Sequence, residues 1–430
     1  AQHKMTLHMN IRMSIILSTG IIMARYGYDQ MTPTLWLILL LVMTSMAIVL
    51  RKWLQSQCIL FYICLFLLGG LLTSYQECCN RKPVTYFTMD ELSEQDRFLT
   101  TAQERRAEIE QKLKGLGIEN EDFGVIAAMA MGDKTALDKD TKEVYSVAGA
   151  SHVLAVSGLH ISIIFQLLIM LLGGNRRHIF VILSALVAIW MYVLFIGMPA
   201  SAVRSATMLS VYGFVTMTRR NKNSLRSLSI AFTIMLLCNP LYLFDLSFQM
   251  SFAAVGSIIV FLPLLSSLYQ PTHRLSQWIW GMLCVSAAAQ IGTLPLITYY
   301  FGRISCYSLL TTFIAIPAAT GILYLCCMLM LMSPVLLLSP TVSLFSWLIT
   351  WVAKALVVIT HFANTAFHLT SLAPGASIDG IHLPLPILFI IYAALGLVYA
   401  GWIKMKRIRN KMARSQEDFS PENALFTNYR

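Results

Sequence analysis

Runs of about twenty apolar residues recur along almost the whole of this 430-residue chain, and they leave it few folds. A hydrocarbon layer ~30 Å thick is crossed by ~20 mostly apolar residues wound as a helix. No water reaches the backbone there, so each crossing has to satisfy its own polar groups. The matching runs are residues 34–50, 58–74, 154–173, 179–197, 200–218, 227–240, 244–268, 275–298, 305–332, 342–361 and 384–403. They predict an all-α, polytopic integral membrane protein with about eleven transmembrane helices. With 57% hydrophobic and 12% charged residues and a mean hydropathy of +0.66, a soluble globular domain is excluded. The stretch "MSIILSTGIIMA" (13–24) is too short and interrupted to count as a span. It reads as a twelfth element, an interfacial helix or a signal peptide without an A-x-A-like cleavage site.

Orientation follows from the basic clusters. Arg51-Lys52, "NRRH" (175–178), "TRRNKNSLR" (218–226), His273-Arg274 and "KMKRIRNKMAR" (404–414) fall at alternating ends of the runs. All lie in the cytoplasm together if the C-terminus is inside and residues 75–150 are outside. Most of the net charge of +11 is this bias. Four stretches result: an N-terminal membrane segment with two spans (1–74), an extracytoplasmic segment (75–150), a membrane core (151–403) and a basic cytoplasmic tail (404–430). The extracytoplasmic segment carries 15 Asp/Glu against 10 Lys/Arg, a net of −5. Its "DELSEQDRFLTTAQERRAEIEQKLKGLG" predicts an amphipathic helix or helical hairpin on the outer surface. Cys78, Cys79 and Cys306 fall on that same side, where an oxidising compartment would allow a bridge.

The core is nearly free of acids. Between 151 and 403 only Asp245 and Asp379 occur, against ten Lys/Arg, seven of them in the cytoplasmic clusters. Arg204, Arg303 and Lys354 remain, and a charge at membrane depth ordinarily faces a cavity or a partner. "HVLAVSGLH" (152–160) adds His152, Ser157, Gly158 and His160; continued as one helix, its two histidines and serine share an arc of ~140°. That arc is either helix–helix hydrogen bonding or the lining of a polar cavity. A Ser157/His160 dyad would suit an intramembrane hydrolase, but residues three apart on one helix rarely align a base on a nucleophile. No metal-ligand spacing such as H-E-x-x-H occurs, and no metal or cofactor is expected. In "FIGMPASAVRSATM" (195–208), Gly197 and Pro199 break a helix and Arg204 follows one turn on, an anion-friendly arrangement or a snorkelling arginine. Asp245 and Gln249 lie at i, i+4, and Ser286, Gln290 and Thr293 form another polar stripe. Asp245 is placed to pair with Arg204 or Lys354.

"AGASHVLAVSGLHISII" resembles the central motif of the ComEC competence proteins. "GDKTALDK", "GMPASAVRSATM", "NPLYLFDLSFQMSFAAVGSI" and "QIGTLPLITYYFGRIS" are similar in the same order, over about residues 95–335. The resemblance implies a channel that passes single-stranded DNA through the bacterial inner membrane during natural transformation. It marks His152, Ser157, Gly158, His160, Arg204, Asp245 and Gln290 as motif positions; Gln249 and Lys354 join them as candidate path residues. Many family members carry an OB-fold and a metallo-β-lactamase-like domain. Residues 75–95 and the 27 residues after the last span are too short for either, and Thr312 stands where the family has asparagine, so a reduced member is expected.

DNA entering the cell moves against a negative-inside potential at ~2.3 kcal/mol per charge per 100 mV. No P-loop occurs, so a separate cytoplasmic motor is expected, with DNA-binding proteins inside, a periplasmic DNA receptor outside, membrane lipids around the chain and homo-oligomerisation left open. Tyr299, Tyr300 and Phe301 read as base-stacking residues or as an interfacial belt. A transporter of small anions or lipids is the alternative on the same scaffold, and no enzyme activity is expected.

Overall fold

The computed structural model describes residues 2–27, 32–50, 54–80, 104, 106–111, 114–115, 118, 120–173, 179–217, 224–338 and 343–418. Three of the basic clusters lie wholly or mostly outside these, as does much of the expected outer-surface helix. The chain divides into two compact units, one of residues 1–253 with 305–377, the other of 254–304 with 378–430.

The first unit opens with α1 (Gln2–Tyr26), α2 (Pro33–Val49) and α3 (Leu54–Asn80). The segment judged too short to span is thus part of a 25-residue helix. Its hydrophobic pattern is broken by Ser14, Ser18 and Thr19, but these hydroxyls donate back to carbonyls one turn earlier and are satisfied within the helix. Gly20 lets α1 press on α3: a Cβ there would fall 2.1 Å from the Phe66 carbonyl oxygen. Small residues at such crossings supply the close packing that holds membrane helices together without a hydrophobic driving force.

Two short elements follow, α4 (Asn120–Ile126), continued by a π-helical turn (Ala127–Met131), and α5 (Lys139–Val147). This stretch closes the segment expected outside the membrane, and part of it is apolar core. Ile118, Ile126, Ala127, Ala128 and Met131 have no exposed surface and pack in the main apolar cluster. Net charge over 75–150 concealed them, because the acids are concentrated before residue 123 while "FGVIAAMAM" is apolar and small enough to be enclosed. Around this arm stand α6 (Gly158–Leu171), α7 (Ile179–Phe195), α8 (Ala200–Met217), α12 (Ser308–Leu338) and α13 (Ser343–Ser371). α9 (Ser224–Cys238) packs on α1, and a 3-10 turn (Pro240–Phe244) leads into α10 (Leu246–Ser266), whose start belongs to this unit.

The second unit holds the rest of α10, α11 (Arg274–Phe301) and α14 (Leu385–Asp418). Ser257 donates to the Ala288 carbonyl at 2.6 Å and Tyr392 to the Gly292 carbonyl at 2.6 Å, which joins α10 and α14 to α11. Two short strands, β1 (Arg303–Ser305) and β2 (Ser377–Asp379), pair with each other. Each expected span overlaps a helix, and among the described residues six helices are both long and apolar enough to cross a membrane: 57–80, α10, α11, 308–332, 347–371 and 385–406. The fold is all-α and of membrane type. Cys78, Cys79 and Cys306 are exposed and free, so no bridge joins them.

Candidate functional site

The polar motifs converge at one end of the first unit. Gly149 ends α5 at a φ of +78°, a conformation glycine adopts without the Cβ penalty, and Ala150 N–H reaches back to the Tyr145 carbonyl. No side chain fits here either, since a Cβ would lie 2.7 Å from both Ser305 Oγ and Ser308 Cβ. Ser305 donates to the Val147 carbonyl (2.9 Å) and Thr311 to the Ala148 carbonyl (2.8 Å). The start of α12 therefore holds the turn that begins the "HVLAVSGLH" motif. Thr312 is turned back to the Ser308 carbonyl.

That motif is not one helix. His152 lies in an exposed turn, residues up to Val156 are irregular, and α6 starts only at Gly158. The shared polar arc expected of His152, Ser157 and His160 is therefore absent; the Gly149 reversal and the cap at Ser157 interrupt the helical period. Ser157 is the N-cap, with extended backbone, and forms a capping box with His160. Its hydroxyl is 2.8 Å from His160 Nδ1, and its backbone N–H donates to the same nitrogen at 3.3 Å. Nδ1 is then the acceptor, which assigns the proton of a neutral imidazole to Nε2. Nε2 is fully buried and has no hydrogen-bond partner. Serine and histidine do meet, and they do so as a helix cap.

α8 closes against this cap. Gly158 faces Ser205, whose hydroxyl would stand 2.9 Å from an added Cβ, and Ser201 donates to the Val156 carbonyl at 2.5 Å. The chain reaches α8 through Gly197 (φ +82°) and Met198 (φ +52°), then Pro199. The Gly/Pro break was legible in sequence; a methionine held in the left-handed region was not.

One turn into α8, Arg204 is 2% exposed and donates to Asp245 Oδ2 at 3.3 Å. The other oxygen of Asp245 accepts from Ser247 N–H (3.1 Å) and caps α10. Gln249 does not extend a stripe from Asp245; its amide turns back to the Leu243 carbonyl at 3.0 Å. Asn239 Oδ1 accepts from Leu241 N–H. The polar residues of "NPLYLFDLSFQ" are thus builders of a tight turn, and Asp245 ties that turn to Arg204. Arg303 meets Asp379 in the second unit at 2.5 Å. Both acids of the core are consequently taken by arginines. Lys354 pairs with neither; it lies exposed on α13, 5.7 Å over the Trp351 ring. Gln290 is half-buried on α11 in the second unit, where Tyr299 and Tyr300 make an edge-on pair.

Sequence reasoning missed one polar cluster. Tyr145, almost fully buried, donates to Asn364 Oδ1 (2.5 Å), Asn364 Nδ2 donates to Asp122 Oδ1 (2.7 Å), and His361 Nδ1 is 3.6 Å from Asp122 Oδ2. Burial raises the Asp122 pKa against the lowering influence of His361 and Asn364. The separation of over 200 residues along the chain, and the lone Asn in an apolar helix, gave no local signal. Among the described residues no three His, Cys, Asp or Glu side chains converge as metal ligands.

Known proteins are similar to this chain. The family model described as Competence protein matches residues 129–405. The chain is 31% identical to ComE operon protein 3 of Bacillus subtilis over 252 residues, 56% of this chain and 30% of that protein. It is 24% identical to Recombination protein 2 of Haemophilus influenzae over 233 residues, 50% of this chain and 28% of that one. The matches therefore span under a third of either relative. No solved structure matches. With the family model covering more than half of its residues, the chain belongs to the competence protein family.

Proposed function

We propose that the chain is a multi-pass conduit of the bacterial inner membrane that carries single-stranded DNA into the cytoplasm during natural transformation. About eleven crossings, residues 75–150 outside and the basic tail inside complete this reading. Family membership supports it, as do the names of the relatives, one a ComE operon protein and one a recombination protein. The observation that carries it is electrostatic. Between residues 151 and 403 there are two acids, each neutralised by an arginine, while Lys354 and the inner basic clusters attract a polyanion.

The chain supplies the passage. A cytoplasmic motor pulls against the membrane potential, DNA-binding proteins take the emerging strand, and a periplasmic receptor delivers it. Lipid surrounds the helices, and self-association is compatible with the exposed apolar faces. The test is uptake of a labelled oligonucleotide into proteoliposomes bearing an inside-positive potential. Uptake that outpaces small organic anions supports the proposal. Flux of small anions or lipids without oligonucleotide uptake overturns it in favour of a transporter.

A further inference from the structure

Of Arg204, Arg303 and Lys354, Lys354 is the one that neither Asp245 nor Asp379 pairs with. It is exposed on α13 together with His361, Thr365 and His368. These positions follow at i, i+7, i+11 and i+14, so at ~100° per residue they occupy one arc of about 60° and, at ~1.5 Å per residue, cover about 21 Å of helix. Ala355, Val358, Phe362 and Leu369, also exposed, lie on the adjoining arc. The outward face of this helix is therefore split lengthwise into a polar edge and an apolar edge. An apolar edge suits lipid. A lysine and two histidines strung through most of a ~30 Å hydrocarbon layer do not, and such a row is stable only against water or a polar partner.

The alternative route is filled. The centre of the first unit holds the arm around Ile126–Met131, packed without exposed surface among α6, α7, α12 and α13. The row also starts at the right end: Tyr145 stacks edge-on against Phe367 at 4.7 Å, and Gly149 abuts Ser308, so the C-terminal end of α13 and the exposed His152 share one end of the unit. Lys354 is the cation of the row. Asp122 is 3.6 Å from His361 and also holds Asn364. Among the described residues no acid is paired with Lys354 or His368.

We infer that the polar edge of α13 (Lys354, His361, Thr365 and His368) is a hydrated furrow that takes the phosphodiester backbone of the translocating strand, on the outward face of the unit and not through its centre. This rests on the proposed function and assigns its path. Single cysteines at 354, 361, 365 and 368, and at 355, 362 and 369, are made in a background lacking the exposed Cys58, Cys78, Cys79, Cys238 and Cys306. Proteoliposomes are treated with a charged, impermeant thiol reagent, with and without poly-dT. The polar edge should react about 50-fold faster than the apolar edge, because a charged reagent is excluded from lipid, and poly-dT should protect it. Lys354→Gln should make the salt dependence of poly-dT binding shallower by about 0.7 in log–log slope, the share of one phosphate contact. Equal labelling of the two edges, or none on either, overturns the furrow. Labelling that poly-dT leaves unchanged overturns nucleic acid as its occupant, as does protection that grows with protein density alone, which points to a second copy. Oligonucleotide uptake by the unmodified protein is scored separately: its absence counts against the function, its presence without protection against this path only.

Discussion

Arg204 and Asp245 make an ion pair whose two halves are unequally buried, and the inequality has a measurable consequence. Arg204 is 2% exposed, whereas the Asp245 side chain is 38% exposed. In Asp245→Asn the amide oxygen can still accept from Ser247 N–H, so the cap of α10 survives and only the charge is lost. A buried guanidinium is then left without its counter-charge, and Nε already has no partner. Breaking a buried pair in that sense costs about 3–5 kcal/mol. Arg204→Gln leaves the carboxylate in contact with water, so its cost is that of a charged hydrogen bond, about 1.5–3 kcal/mol. The double variant should cost no more than Arg204→Gln alone, giving a coupling energy of at least ~3 kcal/mol, well outside the ~0.5 kcal/mol scatter of independent sites. Denaturation of the purified protein in mixed micelles reads all four corners of the cycle, and oligonucleotide uptake is measured on the same samples. Equal losses for the two single variants, or a double variant equal to their sum, would refute the buried-pair account. Recovery of both stability and uptake in the double variant would make Arg204 a structural residue and end its candidacy as a phosphate contact.

Gly158→Ala should displace the Ser205 hydroxyl from the Ser201 carbonyl, at about 1–3 kcal/mol of overpacking; adding Ser205→Ala should restore most of it, and failure to do so would place the clash elsewhere. Ser157→Ala removes a helix cap worth about 1 kcal/mol and should leave transport nearly intact, whereas a folded but inactive protein would favour a hydrolytic role for Ser157 and His160. Asn364→Ala leaves the buried Tyr145 hydroxyl without its acceptor, a loss of about 1–3 kcal/mol that Tyr145→Phe should largely relieve, as read by the same denaturation cycle. A cysteine at Ser415, in a background lacking Cys78 and Cys79, should be shielded from impermeant reagents in intact cells; ready labelling would reverse the orientation and the direction of transport.

The membrane class and the positions of the long helices were legible in the sequence because they depend on a sum over ~20 residues, which neighbouring detail hardly alters. The helix break at Gly197 and Pro199 was legible too, since both residues act on their own backbone. What needed the tertiary structure was the partner of each polar side chain. Ser157 and His160 looked like two positions on a helical face; the reversal at Gly149 makes them the cap of a helix that starts later. Gln249 looked like a neighbour of Asp245 and instead closes the turn behind it. The apolar arm after residue 118 was hidden by the acids around it, and only the helices enclosing it decide that it is core. Sequence isolated Arg204, Arg303 and Lys354 as charges in want of an explanation. Which of them meets an acid depends on contacts between residues 41 and 76 positions apart, and no local periodicity encodes those. Local pattern specifies where the backbone can satisfy itself, whereas the fate of a buried charge depends on what the rest of the chain brings to it.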